Sequence, residues 1–201
     1  MKRAQPSYKS WIFLILLVIG LLHKPILQSY FILNYKPQII ANSKNNAVNP
    51  ALISAIIFTE SRFRASAESH KGALGLMQIM PDTGKWVAGQ LEWNRFSKED
   101  LLNPHKNLEV GVWYLAYLQR YFNQNEGLAL ASYNAGHRYV SKWLADQVWD
   151  GDVVKLENIP FPETKNYVLR ISFLKKVYSY LYPELRVFSD KEQTAGLYWY
   201  R

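Results

Sequence analysis

The chain has no cysteine among its 201 residues. Disulfide staples, thiolate nucleophiles and cysteine-based metal sites are therefore excluded, while the compartment stays open. Histidine is scarce too. His23, His70, His105 and His137 stand apart and lack the His-Glu-x-x-His spacing with which one helix face holds zinc, so no metal site is indicated. There is no Gly-x-Ser-x-Gly elbow for serine hydrolase chemistry and no Gly-rich loop ending in Lys-Ser or Lys-Thr for phosphate binding. No cofactor is expected. Lys and Arg outnumber Asp and Glu by 24 to 16, a net charge of +8, yet no run of five basic residues occurs and no zinc-finger or helicase motif accompanies the excess. Nucleic acid is thus not an expected partner, whereas a membrane surface or a cell wall suits the charge.

What is present begins with length. The chain is long enough for one packed domain and a short appendage, and too short for two ordinary domains; a monomer is expected. Lys2, Arg3 and Lys9 precede an unbroken apolar run, Trp11 to Leu22, that stops at His23-Lys24-Pro25. The run is short of the roughly 20 residues of a bilayer crossing. No small-x-small cleavage site follows, and Ile26, Leu27, Phe31, Ile32 and Leu33 extend the hydrophobic stretch if His23 and Lys24 are tolerated. An uncleaved anchor spanning the membrane is therefore expected over 1–34, behind a basic cytoplasmic tip, with the rest of the chain outside. A removed signal segment, followed by secretion, is the alternative. From Tyr35 the composition turns mixed, so the domain is assigned to 35–185 and a poorly periodic tail to 186–201.

The domain reads as all-α. Asn49-Pro50 supplies an N-cap and a first-turn proline for an apolar helix whose Leu52, Ile53, Ile56 and Ile57 recur at helical spacing. Asp82 or Thr83 is expected to cap the next helix, and Ser97 with Asp100 matches a capping box. Leu108 to Phe122 forms a helix with Leu108, Val112, Leu115 and Leu118 on its core face. Further helices are expected over Leu128 to Tyr133, around Tyr139 to Leu144, and from Glu163 to the approach of Pro183. No alternating strand of convincing length appears.

Glu60 stands at the end of the apolar helix. A carboxylate there is either solvated or held in a cleft where its proton is retained more tightly than in water, which is how an enzyme makes a general acid. For an isolated glutamate the first reading is the ordinary one. Here a Gly-rich turn, Gly72 to Gly75, follows and brings Gln78 and Met80 back toward the helix end.

These residues form a pattern. Glu60-Ser61-x-Phe63, Ser69 and Gly72-Ala-x-Gly-Leu-Met-Gln-Ile-Met-Pro81 with Thr83 resemble the signature of the soluble lytic transglycosylases of bacterial cell walls. Three later blocks resemble the rest of that signature: Asn103-Pro104 through Tyr114-Leu115, Ala131-Ser132-Tyr133-Asn134-Ala135-Gly136, and Ile159-Pro-Phe-Pro-Glu163-Thr164 with Tyr167-Val168. Ser132 stands where the family often has alanine. The blocks cover roughly residues 35–182.

The resemblance implies a goose-type lysozyme-like helical fold and cleavage of the β-1,4 bond between N-acetylmuramic acid and N-acetylglucosamine of peptidoglycan strands. No water would be consumed, and a 1,6-anhydro sugar would result. Glu60 would be the catalytic acid and then the base, which requires a raised pKa. It also implies substrate contacts from Ser69 and Gln78, an apolar wall at Met80, and Tyr133 beside the reacting centre with its hydroxyl on the substrate acetamido group or on Glu60, unless Tyr133 merely packs. Glu163 would either touch substrate or favour the N-terminus of its helix through the dipole. Tyr167 is expected to be structural. Trp93, Trp143 and Trp149 are candidates for sugar stacking or for packing. A hydrolytic muramidase of the same fold is the enzymatic alternative, with Glu68, Asp82 or Glu163 as its second carboxylate. An idle wall-binding or assembly protein is the other.

Overall fold

A computed structural model describes residues 8–152 and 154–186. The basic tip before Tyr8 and the tail from residue 187 lie outside the described residues. The chain divides into two units, Met1–Leu33 and Asn34–Arg201. In the first, Tyr8–Tyr30 is one helix, α1, which contains the apolar run and carries Pro25 inside it. Among the described residues, no helix is long and apolar enough to cross a membrane.

The second unit is helical, with α2 over Lys36–Asn46, α3 over Pro50–Glu60, α4 over Pro81–Gln90 and α5 over Pro104–Tyr121. After these come α6 over Glu126–Ala135, α7 over His137–Ala145 and α8 over Pro162–Leu181, with single 3-10 turns at Lys98–Leu102, Leu156–Asn158 and Pro183–Arg186. The described residues contain no strand, only isolated bridges that pair Leu74 with Glu68 and with Ile79.

Local chemistry sets the starts of these helices. The Asn49 side chain accepts from the amides of Ala51 at 2.9 Å and Leu52 at 3.2 Å, while Pro50 fills the position where an N–H would go unpaired. Asn103 repeats the device at α5 with His105 and Lys106, and Asn125 caps α6 through Leu128. The capping-box residues are placed as expected, Asp100 accepting from the Ser97 amide at 2.8 Å, but they open a 3-10 turn. In α4 the expectation fails by two or three residues. Pro81 takes the first helical position and Met80 precedes it, so Asp82 lies inside the first turn, where its charge favours the positive end of the helix.

Every residue of α3 from Pro50 to Phe58 is buried. It packs mainly on α8, which presents Tyr167, Val168, Ile171, Leu174, Tyr178 and Leu181 from one face, and α2 flanks it. α5 lies against α2, α4 and α6, and α6 against α7 and α8. Because α3 is enclosed along its length, its C-terminal end is the point at which a polar group can leave the core.

The chain between α3 and α4 is folded back on itself by four backbone bonds: Leu74 and Ile79 exchange a pair, both 3.0 Å, Ser69 N–H donates to the Ala73 carbonyl, and Gly75 N–H to that of Ala67. Asn107 of α5 pins this loop from beneath. Fully buried, it donates to the carbonyls of Leu74 at 2.9 Å and Leu101 at 2.8 Å and accepts from the Met77 amide at 2.8 Å. Gly75, at φ +77°, passes so close that a Cβ would collide with the Leu101 carbonyl oxygen and with Asn107 Nδ2. Replacing Asn107 with Ala strands the buried Met77 N–H and the Leu101 carbonyl, while the Leu74 carbonyl keeps its bond from the Ile79 amide. Each such orphan costs about 1–3 kcal/mol, so Asn107→Ala is expected to lower unfolding free energy by about 3 kcal/mol in urea titration; a loss below about 1 kcal/mol contradicts this role.

Candidate active site

α3 delivers Glu60 as its last helical residue, partly exposed, and Ser61 turns the chain away. Ser61 is itself buried, and its hydroxyl reaches the Leu76 carbonyl at 2.8 Å, tying the end of α3 to the loop. Glu60 is thus held from two sides. Burial pushes its carboxyl up from the ordinary 4.5 to about 7. A hydrogen bond from Tyr167 opposes the rise and the charge of Glu163 adds to it. Position at a helix C-terminus, where carbonyls crowd, acts in the same upward direction.

Tyr167, expected to be structural, is the residue whose hydroxyl donates to Glu60 Oε1, at 2.8 Å. It is buried in α8 and comes from 107 positions along the chain. Tyr133, the residue expected to bond Glu60 or substrate, donates instead to the Met77 carbonyl at 2.8 Å. The reason is packing: α6 sets its hydroxyl over the loop, while α8 lies directly on α3. Both tyrosines nevertheless belong to the site. Burial, followed by the Glu60 charge, pushes their hydroxyls well above the ordinary value, so both remain protonated donors across the working range.

Glu163 is exposed in the first turn of α8 and its charge is felt at Glu60. Behind it the Thr164 hydroxyl donates to Asn134 Oδ1 at 2.7 Å, joining the block that contains Tyr133 to the block that contains Glu163 and Tyr167. Gly136 then separates α6 from α7 at φ +92°, in the left-handed region.

The remaining sequence candidates lie on the loop. Gln78 sits at φ +49°, and its amide nitrogen donates to the carbonyls of Gly75 at 2.9 Å and Ala67 at 3.1 Å. Its donors therefore hold the loop. The Ser69 hydroxyl oxygen accepts from the Ala73 amide at 2.9 Å. Met80 is 44% exposed just ahead of α4. Among the tryptophans, Trp143 and Trp149 are core residues, and Trp93 is half-buried with the Lys106 ammonium 5.6 Å from its ring centre. Trp86, on α4, is 39% exposed and carried no functional reading in the sequence. Among the described residues, no group of acidic or histidine side chains could hold a metal ion.

The chemistry open to this arrangement is proton donation by a carboxyl that ionises near neutrality and re-acceptance by the carboxylate it leaves.

The sequence matches the transglycosylase SLT domain over residues 37–153, a span that includes Glu60 and Tyr133 and ends before Glu163 and Tyr167. It is 32% identical over 156 residues to the soluble lytic murein transglycosylase of Escherichia coli, covering 77% of this chain and 24% of that protein. To membrane-bound lytic murein transglycosylase C of Edwardsiella ictaluri it is 31% identical over 157 residues, covering 68% and 44%. The structure resembles that of an inactive glutamate-to-glutamine mutant of the lytic transglycosylase Slt of Pseudomonas aeruginosa, with a TM-score of 0.69, 33% identity, and 77% and 25% of the two chains covered. The chain thus spans about a quarter of the length of the soluble relatives.

The Glu60 pKa has a consequence for stability. Between pH 4.5, where an unfolded glutamate loses its proton, and about 7, where the folded one does, the folded state binds the extra proton. Stability is therefore fully present below about pH 4.5 and falls until about pH 7, by on the order of 3 kcal/mol. Glu60→Gln is expected to be more stable than the natural chain at pH 8 by that amount and to match it near pH 4 in urea titration. Tyr167→Phe removes the bond that favours the carboxylate, so the Glu60 titration, followed by carbon NMR of the carboxyl, is expected to move to higher pH; movement to lower pH contradicts the assignment.

Proposed function

We propose, from the premise that this chain belongs to the transglycosylase SLT domain family, that it is a peptidoglycan lytic transglycosylase. It would cleave the β-1,4 bond between N-acetylmuramic acid and N-acetylglucosamine without water and leave 1,6-anhydromuramic ends. The observation that carries this reading is the Glu60 carboxyl, pushed up to about 7 by burial and bonded to a tyrosine rather than to a second carboxylate.

Most glycosidases divide the work between two carboxyl groups. In the proposed sequence Glu60 acts twice. Its carboxyl donates a proton to the glycosidic oxygen as the bond from the anomeric carbon breaks, and the substrate acetamido oxygen stabilises the positive carbon. The Glu60 carboxylate then takes the proton of the C6 hydroxyl while O6 bonds to that carbon, restoring the acid. Burial favours the first half, because it keeps Glu60 protonated up to about pH 7. Tyr167 assists the same half from the product side, because its hydrogen bond is strongest to the charged carboxylate that proton donation leaves behind.

Ser69, Gln78 and Glu163 are assigned as polar contacts to the sugar strand, Met80 as an apolar wall, and Tyr133 as a contact near the reacting centre. The helical arrangement is assigned to the goose-type lysozyme-like class. For location, the apolar run in α1 and the preceding basic residues support an anchored protein with its domain outside the cytoplasm, acting as a monomer on peptidoglycan strands. A membrane-bound relative is consistent with that placement.

Purified wall digested by the full chain is expected to yield anhydromuramic ends by mass spectrometry; reducing muramic ends would overturn the lytic reading in favour of a hydrolase. Glu60→Gln is expected to lower turnover by at least about a thousandfold, while still sedimenting with insoluble wall. In the natural chain the rate is expected to fall as pH rises through about 7.

A further inference from the structure

A second feature of the domain starts at the Glu60 site and runs away from it. Trp113, Tyr117 and Tyr121 recur every fourth residue on α5, Tyr114 lies beside them, and Trp86 reaches them from α4. The ring of Tyr114 lies 5.6 Å from that of Tyr133, whose hydroxyl feels the Glu60 charge. From there the rings are continuous. Tyr114 and Tyr117 are 6.4 Å apart with planes 14° from parallel, and Trp113 and Tyr117 are 5.8 Å apart at 3°. Trp86 stands edge-on, 4.9 Å from Tyr117 and 5.4 Å from Trp113, and Tyr121 follows Tyr117 at 6.0 Å.

Core packing does not account for these rings. The core face of α5 is made by Leu108, Val112, Leu115 and Leu118, all fully buried. The aromatic residues lie beside that face; Trp86 is 39% exposed, Tyr121 49%, and the rest are half-buried. Single exposed aromatic residues are ordinary. A contiguous band of five marks a binding surface.

We infer that Trp86, Trp113, Tyr114, Tyr117 and Tyr121 form a carbohydrate platform that holds the glycan strand beyond the sugars at Glu60. The inference rests on the reading of Glu60 as a glycan-cleaving acid. The band is continuous with that site through Tyr133, so its occupant is the strand that the site already holds. The chemistry is complementary. A β-linked pyranose presents C–H bonds on its faces, their hydrogens slightly positive, and an aromatic face is slightly negative. Such contact needs neither charge nor a particular side group, which suits a polymer whose stem peptides vary. From Tyr114 to Tyr121 the band follows α5 for about 10 Å, longer than one pyranose ring. Its expected effect is a preference for long strands over short ones.

The test uses the full chain with Trp86→Leu and Tyr121→Ala, singly and together. Both sites are exposed, and Trp86→Leu keeps an apolar side chain while removing the flat face; thermal denaturation confirms that each variant is folded. Two substrates are compared, glycan strands stripped of stem peptides and a muramyl tetrasaccharide. The ratio of kcat/KM on long strands to that on the tetrasaccharide is expected to fall about tenfold in the double variant. The same pair of substitutions in a Glu60→Gln background is expected to lower retention on stripped glycan by a similar factor. An unchanged ratio together with unchanged retention overturns the platform. The parent reading fails separately: a natural chain that turns over no glycan, or that yields reducing ends, refutes the lytic assignment, while retention in the Glu60→Gln background still decides whether the band holds sugar.

Discussion

The enclosure of α3 is the constraint on which the rest of this domain depends. A helix buried from Pro50 to Phe58 must hand its chain back to the surface, and of the two residues that do so, Thr59 and Glu60, the second is charged. Glu60 therefore sits where apolar packing ends and solvent begins. Burial there works against ionisation, and it is this environment, rather than a specific charged partner, that dominates the behaviour of the carboxyl. Tyr167 and Glu163 adjust the result in opposite directions from successive turns of the helix packed on α3. Core and site are in this respect one structure.

The loop that faces Glu60 has no extended ladder to support it, so its shape depends on individual side chains. Asn107 satisfies three backbone groups from one buried position, and Ser61, Tyr133 and Gln78 each take further carbonyls. The close approach of Gly75 to Asn107 explains why the backbone there bears no Cβ. Stability and site geometry meet in these contacts. The bond between Thr164 and Asn134 serves the same end elsewhere in the domain, fixing the start of α8 to the end of α6.

Much of this was legible in the amino-acid order, and the division follows the range of the physics. The caps at Asn49 and Asn103 are short-range chemistry, readable from neighbours alone, and the burial of α3 follows from an unbroken apolar run. The start of α4 was misplaced because Pro81 competed successfully with Asp82 and Thr83 for the first turn. Glu60 was identifiable as a candidate; the partner of its carboxyl was not. Tyr133 and Tyr167 are both tyrosines in recognisable blocks, and only the docking of α8 on α3 decides which hydroxyl reaches the acid. Trp143 and Trp149 went into the core while Trp86 stayed at the surface for a similar reason, since an indole gives no sign in sequence of which side of its helix will be covered. The small polar groups that hold the loop, Ser61 and Asn107, carried no signal beyond their presence in the blocks.

The hydroxyl of Tyr167 also breaks the symmetry of the acid. A carboxyl group has two equivalent oxygens in water, and either can carry the hydrogen. Here Oε1 accepts from the phenol and is thereby the carbonyl-like oxygen of the neutral group. The hydrogen is left to Oε2. Glu60 thus has a handedness: Oε1 faces inward to the Tyr167 hydroxyl of α8, and Oε2 is the oxygen on which this bond favours the hydrogen.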